Sequence, residues 1–95
     1  NHINPQVHEV QDYLIDNLSK DNDIESLASM VGMSARNLSR VFKEKTGTTV
    51  LEYLTLLRKE FASTMMNNPE YTIEYIASKC GFKTARQLQR ILKKK

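Results

Sequence analysis

Apolar residues recur along this chain at spacings of three and four, and no stretch alternates with a period of two, a pattern that predicts helices throughout and an all-α fold. Asn4 before Pro5 reads as an N-cap with proline in the first turn. It opens a helix to about Ser19 whose inward face is Val7, Val10, Leu14 and Leu18. Asp23 caps a short helix over residues 24–31, which Gly32 ends. Ser34 caps a third that runs to Thr46, with Leu38, Val41 and Phe42 inward and Gly47 as its stop. Thr49 with Glu52 three residues on forms a capping box and starts the longest helix, residues 50–67, with Val50, Leu54, Leu57, Phe61 and Met65 along one side. Asn67, Asn68 and Pro69 break it. Thr72 caps a fifth helix over residues 73–80, a Gly81-Phe82 turn follows, and Thr84 caps a sixth that runs to the end.

Two of these helix pairs are copies of one design. IESLASMVGM (residues 24–33) aligns with IEYIASKCGF (residues 73–82) at an offset of 49, and after one inserted residue SARNLSRVFK (residues 34–43) aligns with TARQLQRILK (residues 84–93) at an offset of 50. Each copy has an acid near its start (Glu25, Glu74), an Ala-Ser pair read as buried (Ala28-Ser29, Ala77-Ser78), a turn glycine, a hydroxyl N-cap and a second helix. In that helix Leu38, Val41 and Phe42 are matched by Leu88, Ile91 and Leu92, while Arg36, Arg40 and Lys43 are matched by Arg86, Arg90 and Lys93. Bases at i, i+4 and i+7 fall in one line on the face away from the core. On a single helix such a line would more simply be a solvated face; its return at the same register argues against that.

Charge sharpens the point. The net charge is +3, yet residues 1–30 hold one base against six acids, and residues 83–95 hold six bases and no acid. A basic stripe of this kind attracts polyanions. A short helix, a turn containing Gly and a second capped helix form the helix-turn-helix pattern. The major groove of B-DNA, about 12 Å wide, admits one helix, and its base edges accept bidentate contacts from Arg, Asn or Gln. The exposed turns offer Arg36, Asn37, Ser39 and Arg40 in the first copy, and Arg86, Gln87, Gln89 and Arg90 in the second. Ser34 and Thr84 cap their helices where a phosphate would approach, and Asn37, Lys43, Lys83 and Lys93 complete an expected set of phosphate contacts. A linker helix of the predicted length would span about 27 Å, enough for two reading helices to reach groove segments about 34 Å apart.

The run LASMVGMSARNLSRVFKEKTGTTVLEYLTLLR, followed by IASKCGFKTARQLQRILKKK, resembles the DNA-binding domain of the AraC/XylS family of bacterial transcription regulators, over about residues 7–95. The GTTVLEYLTLLR segment and the CGF turn are most similar to members that carry an amidase-like (ThiJ/PfpI) domain ahead of the DNA-binding part. The resemblance implies two helix-turn-helix subdomains in a homeodomain-like tandem, residues 5–47 and 72–95, joined by a linker helix over residues 50–67. It implies base contacts from Arg36, Ser39 and Arg40 in the first unit and from Ala85, Arg86, Gln89 and Arg90 in the second. Ala85 stands where some relatives carry a polar residue, so its contribution would be a methyl contact to thymine. The family pattern runs on past the last helix with a further Gly-containing turn, whereas this chain stops at KKK, which implies a truncated second unit. An N-terminal sensor domain, and RNA polymerase as a further partner, follow from the same resemblance.

Composition bounds the alternatives. A chain of 95 residues, 40% hydrophobic and 26% charged, is read as one globular domain over residues 1–95, too small for a deep water-free active site. Cys80 is the only cysteine, so no internal disulfide is expected, and with His2 and His8 it makes none of the usual zinc sets. Neither cofactor nor metal is expected. There is no apolar run of about 18 residues and no signal-peptide pattern, so a cytoplasmic location without a membrane partner is predicted, and a start at Asn1 suggests a piece of a longer protein. Cys80 and the methionines Met30, Met33, Met65 and Met66 are read as packing, and Arg58 as an ion-pair member with Glu60 or another acid. His8, Asp12 and Asp16 are read as an exposed acidic face and not as metal ligands. Three function classes remain. A sequence-specific module for double-stranded DNA explains the duplicated readers and the basic second half. A helical protein-interaction module leaves the matched arginines unexplained, and an enzyme is the poorest, since no catalytic constellation is present.

Overall fold

The structure, a computed structural model, describes residues 4–20 and 22–93. Those residues are all-α, without a strand: α1 is Pro5–Asp16, α2 Ile24–Met30, α3 Ala35–Thr46, α4 Val50–Met65, α5 Ile73–Cys80 and α6 Ala85–Lys93. They form two compact units, residues 4–17 with 22–54 and residues 18–20 with 55–93 among those described, so α4 contributes its first turn to one and the rest to the other.

In the first unit each start is chemically marked. The Asn4 side chain accepts from the Gln6 and Val7 amides at 2.9 and 3.1 Å, and Asp23 accepts from the Ser26 amide at 2.8 Å. The first helix ends at Asp16, short of the expected Ser19, because Asn17 turns its amide back onto the Tyr13 carbonyl (2.8 Å) and accepts from Asn22 on its own carbonyl (2.9 Å). Leu18, expected on the face of α1, is buried with the second unit instead. At the end of α2, Gly32 adopts φ 73° and its amide and that of Met33 bond back to the Ser29 and Ala28 carbonyls, the Schellman arrangement. Helices α1 and α2 pack on α3 around Val10, Leu14, Leu27, Leu38 and Phe42, with Val50 and Leu54 of α4. The Phe42 ring meets Tyr53 edge-on at 5.5 Å. Val41, expected inward, is only half-buried.

The second unit repeats the plan. Helix α5 packs on α6 around Ala62, Ile76, Ala77, Cys80, Phe82 and Leu88, with Met65, Ile73, Ile91 and Leu92 against that cluster. Gly81 (φ 90°) makes the matching turn, the Phe82 amide reaching back to the Ala77 carbonyl at 2.8 Å. Four expectations are corrected. Phe61 is exposed, and Ala62, one residue on and so about 100° around the helix, supplies the buried contact of α4. Helix α4 also ends at Met65, two residues before the predicted stop. Of each Ala-Ser pair only the alanine is buried, Ser29 and Ser78 being exposed, and Met30 and Met66 lie on the surface too. A pattern of spacings locates a face but cannot choose between a large and a small residue at its edge.

Candidate nucleic-acid interface

The Ser34 hydroxyl accepts from the Asn37 amide at 3.1 Å and so fixes the start of α3. Leu38 and Phe42 are fully buried, which sets the rotation of the helix and leaves Arg36, Ser39, Arg40 and Lys43 exposed, with Asn37 half-buried among them. The Arg40 guanidinium is held along the helix surface. It donates from Nη2 to the Asn37 side-chain oxygen and from Nη1 to Glu44 Oε2 at 3.4 Å. Gly47 at φ 83° closes α3, its amide bonding to the Lys43 carbonyl at 2.8 Å.

In the second unit the Thr84 hydroxyl accepts from the Gln87 amide at 3.0 Å, and the Gln87 side chain accepts in return from the Lys83 amide at 2.9 Å. Gln87, offered by the sequence as a reader, is thereby occupied in closing the start of α6. Arg86, Gln89, Arg90 and Lys93 line one shallow groove of about 290 Å³, so the four share a face. Ala85 is half-buried in the first turn, while Lys83 and Thr84 are exposed. The terminal bases Lys94 and Lys95 lie outside the described residues.

Arg58 has partners that sequence reasoning did not foresee. It donates to the Leu18 carbonyl at 3.0 Å and the Lys20 carbonyl at 3.2 Å, so the partners it ties down include backbone and not only an acid. Its guanidinium borders a hollow of about 450 Å³ that also takes in Glu74, Lys83, Thr84 and Ala85, bringing a cation to the start of α6. No spacing in the sequence signals this, because Arg58 and Leu18 are 40 residues apart. Burial pushes the Cys80 thiol above its ordinary pKa, against a smaller opposing effect of Arg58, and its sulfur lies 3.8 Å from that of Met65, as suits a packed side chain. His8 pairs with Asp12 at 3.4 Å on the surface. Among the described residues no group of His, Cys, Asp or Glu is arranged to hold a metal ion, and no helix is long and apolar enough to cross a membrane.

Two turn-linked helix pairs, each presenting a polar and basic second helix, define a tandem helix-turn-helix domain. The helix-turn-helix domain family matches residues 27–95. The multiple antibiotic resistance protein MarA of Escherichia coli is 26% identical over 87 residues, covering 92% of this chain and 68% of its own. The C-terminal domain of AraT, a response regulator from Geobacillus stearothermophilus, superimposes with a TM-score of 0.90 at 28% identity, covering 98% of this chain and 78% of that one. The DNA-binding domain of AdpA, a global transcriptional factor solved in complex with a target DNA, does so with a TM-score of 0.85 at 27% identity, over 94% of this chain and 80% of that one. The chain belongs to the helix-turn-helix family, as a DNA-binding domain of the AraC type, a family of transcription regulators and not of enzymes.

Proposed function

We propose that this domain binds double-stranded DNA sequence-specifically, with α3 and α6 entering successive major grooves of a promoter or operator. The observation that carries the reading is the duplicated presentation: in each unit a Schellman turn and a hydroxyl cap set a short helix whose core side is sealed by leucine and whose exposed side carries arginines at the same register. Arg36, Ser39 and Arg40, with Ala85, Arg86, Gln89 and Arg90, are the proposed base readers. Ser34, Asn37, Lys43, Lys83, Thr84 and Lys93 are the proposed phosphate contacts. Helix α4, 16 residues long, spans about 24 Å, and a monomer is expected to cover an asymmetric site of about 20 base pairs. The further reading, which rests on resemblance, is a cytoplasmic regulator in which an N-terminal sensor of the amidase-like (ThiJ/PfpI) kind governs this domain and RNA polymerase is a partner.

Duplex binding measured against salt tests the proposal. A domain that neutralises several phosphates loses affinity steeply and log-linearly as salt rises. A flat dependence would favour the helical protein-interaction module instead. Footprinting on a site selected from random duplexes gives the second check, since a protected length of half that size would place only one helix on the DNA.

A further inference from the structure

We infer that Glu44 is a specificity-determining residue of the first unit, acting through Arg40; the inference rests on the DNA-binding reading above. Glu44 is the only acid in α3, and it stands one turn beyond Arg40 on the exposed side. The pair is open to solvent, the two side chains being 61% and 58% exposed, so neither is there to hold the core together. What the contact does is orient Arg40. One guanidinium nitrogen is engaged by Asn37 a turn before it and another by Glu44 a turn after it, so the guanidinium is held in one orientation.

Two consequences follow for a helix that enters a groove. Arg40 has five N–H donors and these two contacts leave others over, so it can meet a base edge while Glu44 still orients it, and the Glu44 charge then stands near the phosphate wall whatever the sequence. A guanine offering its O6 and N7 acceptors gains from the preset guanidinium and offsets that repulsion with a bidentate contact. A base pair without them does not. The carboxylate therefore weakens binding to arbitrary sequence more than binding to the preferred site. Helix α6 has no such device. The repeat register sets Lys94 opposite Glu44 in the sequence, and Arg90 has no side-chain partner among the described residues. The first copy is built to discriminate and the second to adhere.

The test compares the domain with its E44Q and E60Q variants on two probes, a duplex selected from a random pool by the wild-type domain and a random-sequence duplex. Glu60 lies on the exposed surface of α4, outside the reading helices, and E60Q removes the same charge. E44Q is expected to raise affinity for random duplex about threefold to tenfold, to steepen the salt slope by about one, and to change selected-site affinity less than twofold, so that discrimination falls. E60Q is expected to leave discrimination unchanged. Nitrogen relaxation of the Arg40 guanidinium should report greater mobility in free E44Q than in the wild type. Equal increases on both probes, no increase on either, the same loss of discrimination in E60Q, or unchanged Arg40 mobility would each overturn the role of Glu44. Failure of the wild-type domain to bind any duplex at low salt is a separate result, and it would overturn the DNA-binding reading itself.

Discussion

Gly32 and Gly81 occupy the same place in the two copies and share a left-handed backbone, with φ 73° and 90°, yet their surroundings differ. A methyl group on Gly32 would meet nothing within 4 Å, whereas on Gly81 it would strike the Leu18 carbonyl oxygen and the Arg58 guanidinium. Gly32→Ala is expected to cost only the backbone penalty, about 1–2 kcal/mol. Gly81→Ala should cost clearly more, because Leu18 and Arg58 are themselves bonded to each other and have little room to give. Urea unfolding of the two variants checks the order. At two helix starts a carboxylate carries pH dependence. The Ser26 amide holds Asp23 below the ordinary carboxylate range, and the Thr49 amide, aided by the nearby charge of Lys43, does the same for Glu52. Both groups are lowered on folding, so their contribution is complete above the unfolded value and is lost as pH falls through the folded one. Thermal stability should therefore decline as pH drops below about 4, and a variant combining Asp23→Ser with Glu52→Gln should show a flatter acid limb.

Helices α3 and α6 are short and of little intrinsic stability, and each is rotated by its buried leucine, Leu38 or Leu88, and started by its hydroxyl cap. That rotation separates two kinds of contact. On the DNA-binding reading, Arg40 and Arg90 are expected to reach the groove floor, while Lys43 and Lys93 stand about a turn further on. Arg40→Ala and Arg90→Ala are expected to cost about 1–3 kcal/mol each and to relax preference at particular base pairs. Lys43→Ala and Lys93→Ala should weaken all sequences alike and make the salt slope shallower by about one. Titrations of selected and random duplexes at several salt concentrations distinguish the two. An Arg40→Ala variant that loses the same factor on both would leave the list of readers.

Across the whole chain the charge is divided, acidic before residue 31 and basic after it, with its densest basic run in residues 83–95. The first unit closes its reading helix at both ends, through Ser34 and Gly47, and holds Arg40 between two partners. The second carries Arg90 and Lys93 in the last described turn of α6, where they favour the helix dipole. Sequence choice is accordingly expected from α3, and general attraction to phosphate from the end of α6. Deleting residues 93–95 should lower affinity for every duplex at physiological salt while leaving the selected sequence unchanged. Random-site selection with each unit's arginines replaced in turn is the measurement; stronger constraint on the bases opposite α6 would reverse the order.

The helices, their caps and the repeat were legible from the chain because they depend on neighbours. Asn4, Asp23, Ser34, Thr72 and Thr84 bond amides two or three residues away, and the Thr49–Glu52 box closes on itself. The lines Arg36, Arg40, Lys43 and Arg86, Arg90, Lys93 were legible for the same reason, since helical spacing alone assigns them a face. Tertiary packing decided the rest. It gave Leu18 to the second unit, it preferred Ala62 to Phe61, and it sent Arg58 to the Leu18 and Lys20 carbonyls. Periodicity records which way a side chain points from its own helix, and it contains nothing about which distant backbone will arrive there, how large a residue the gap will admit, or which polar group will be left for that backbone to bond.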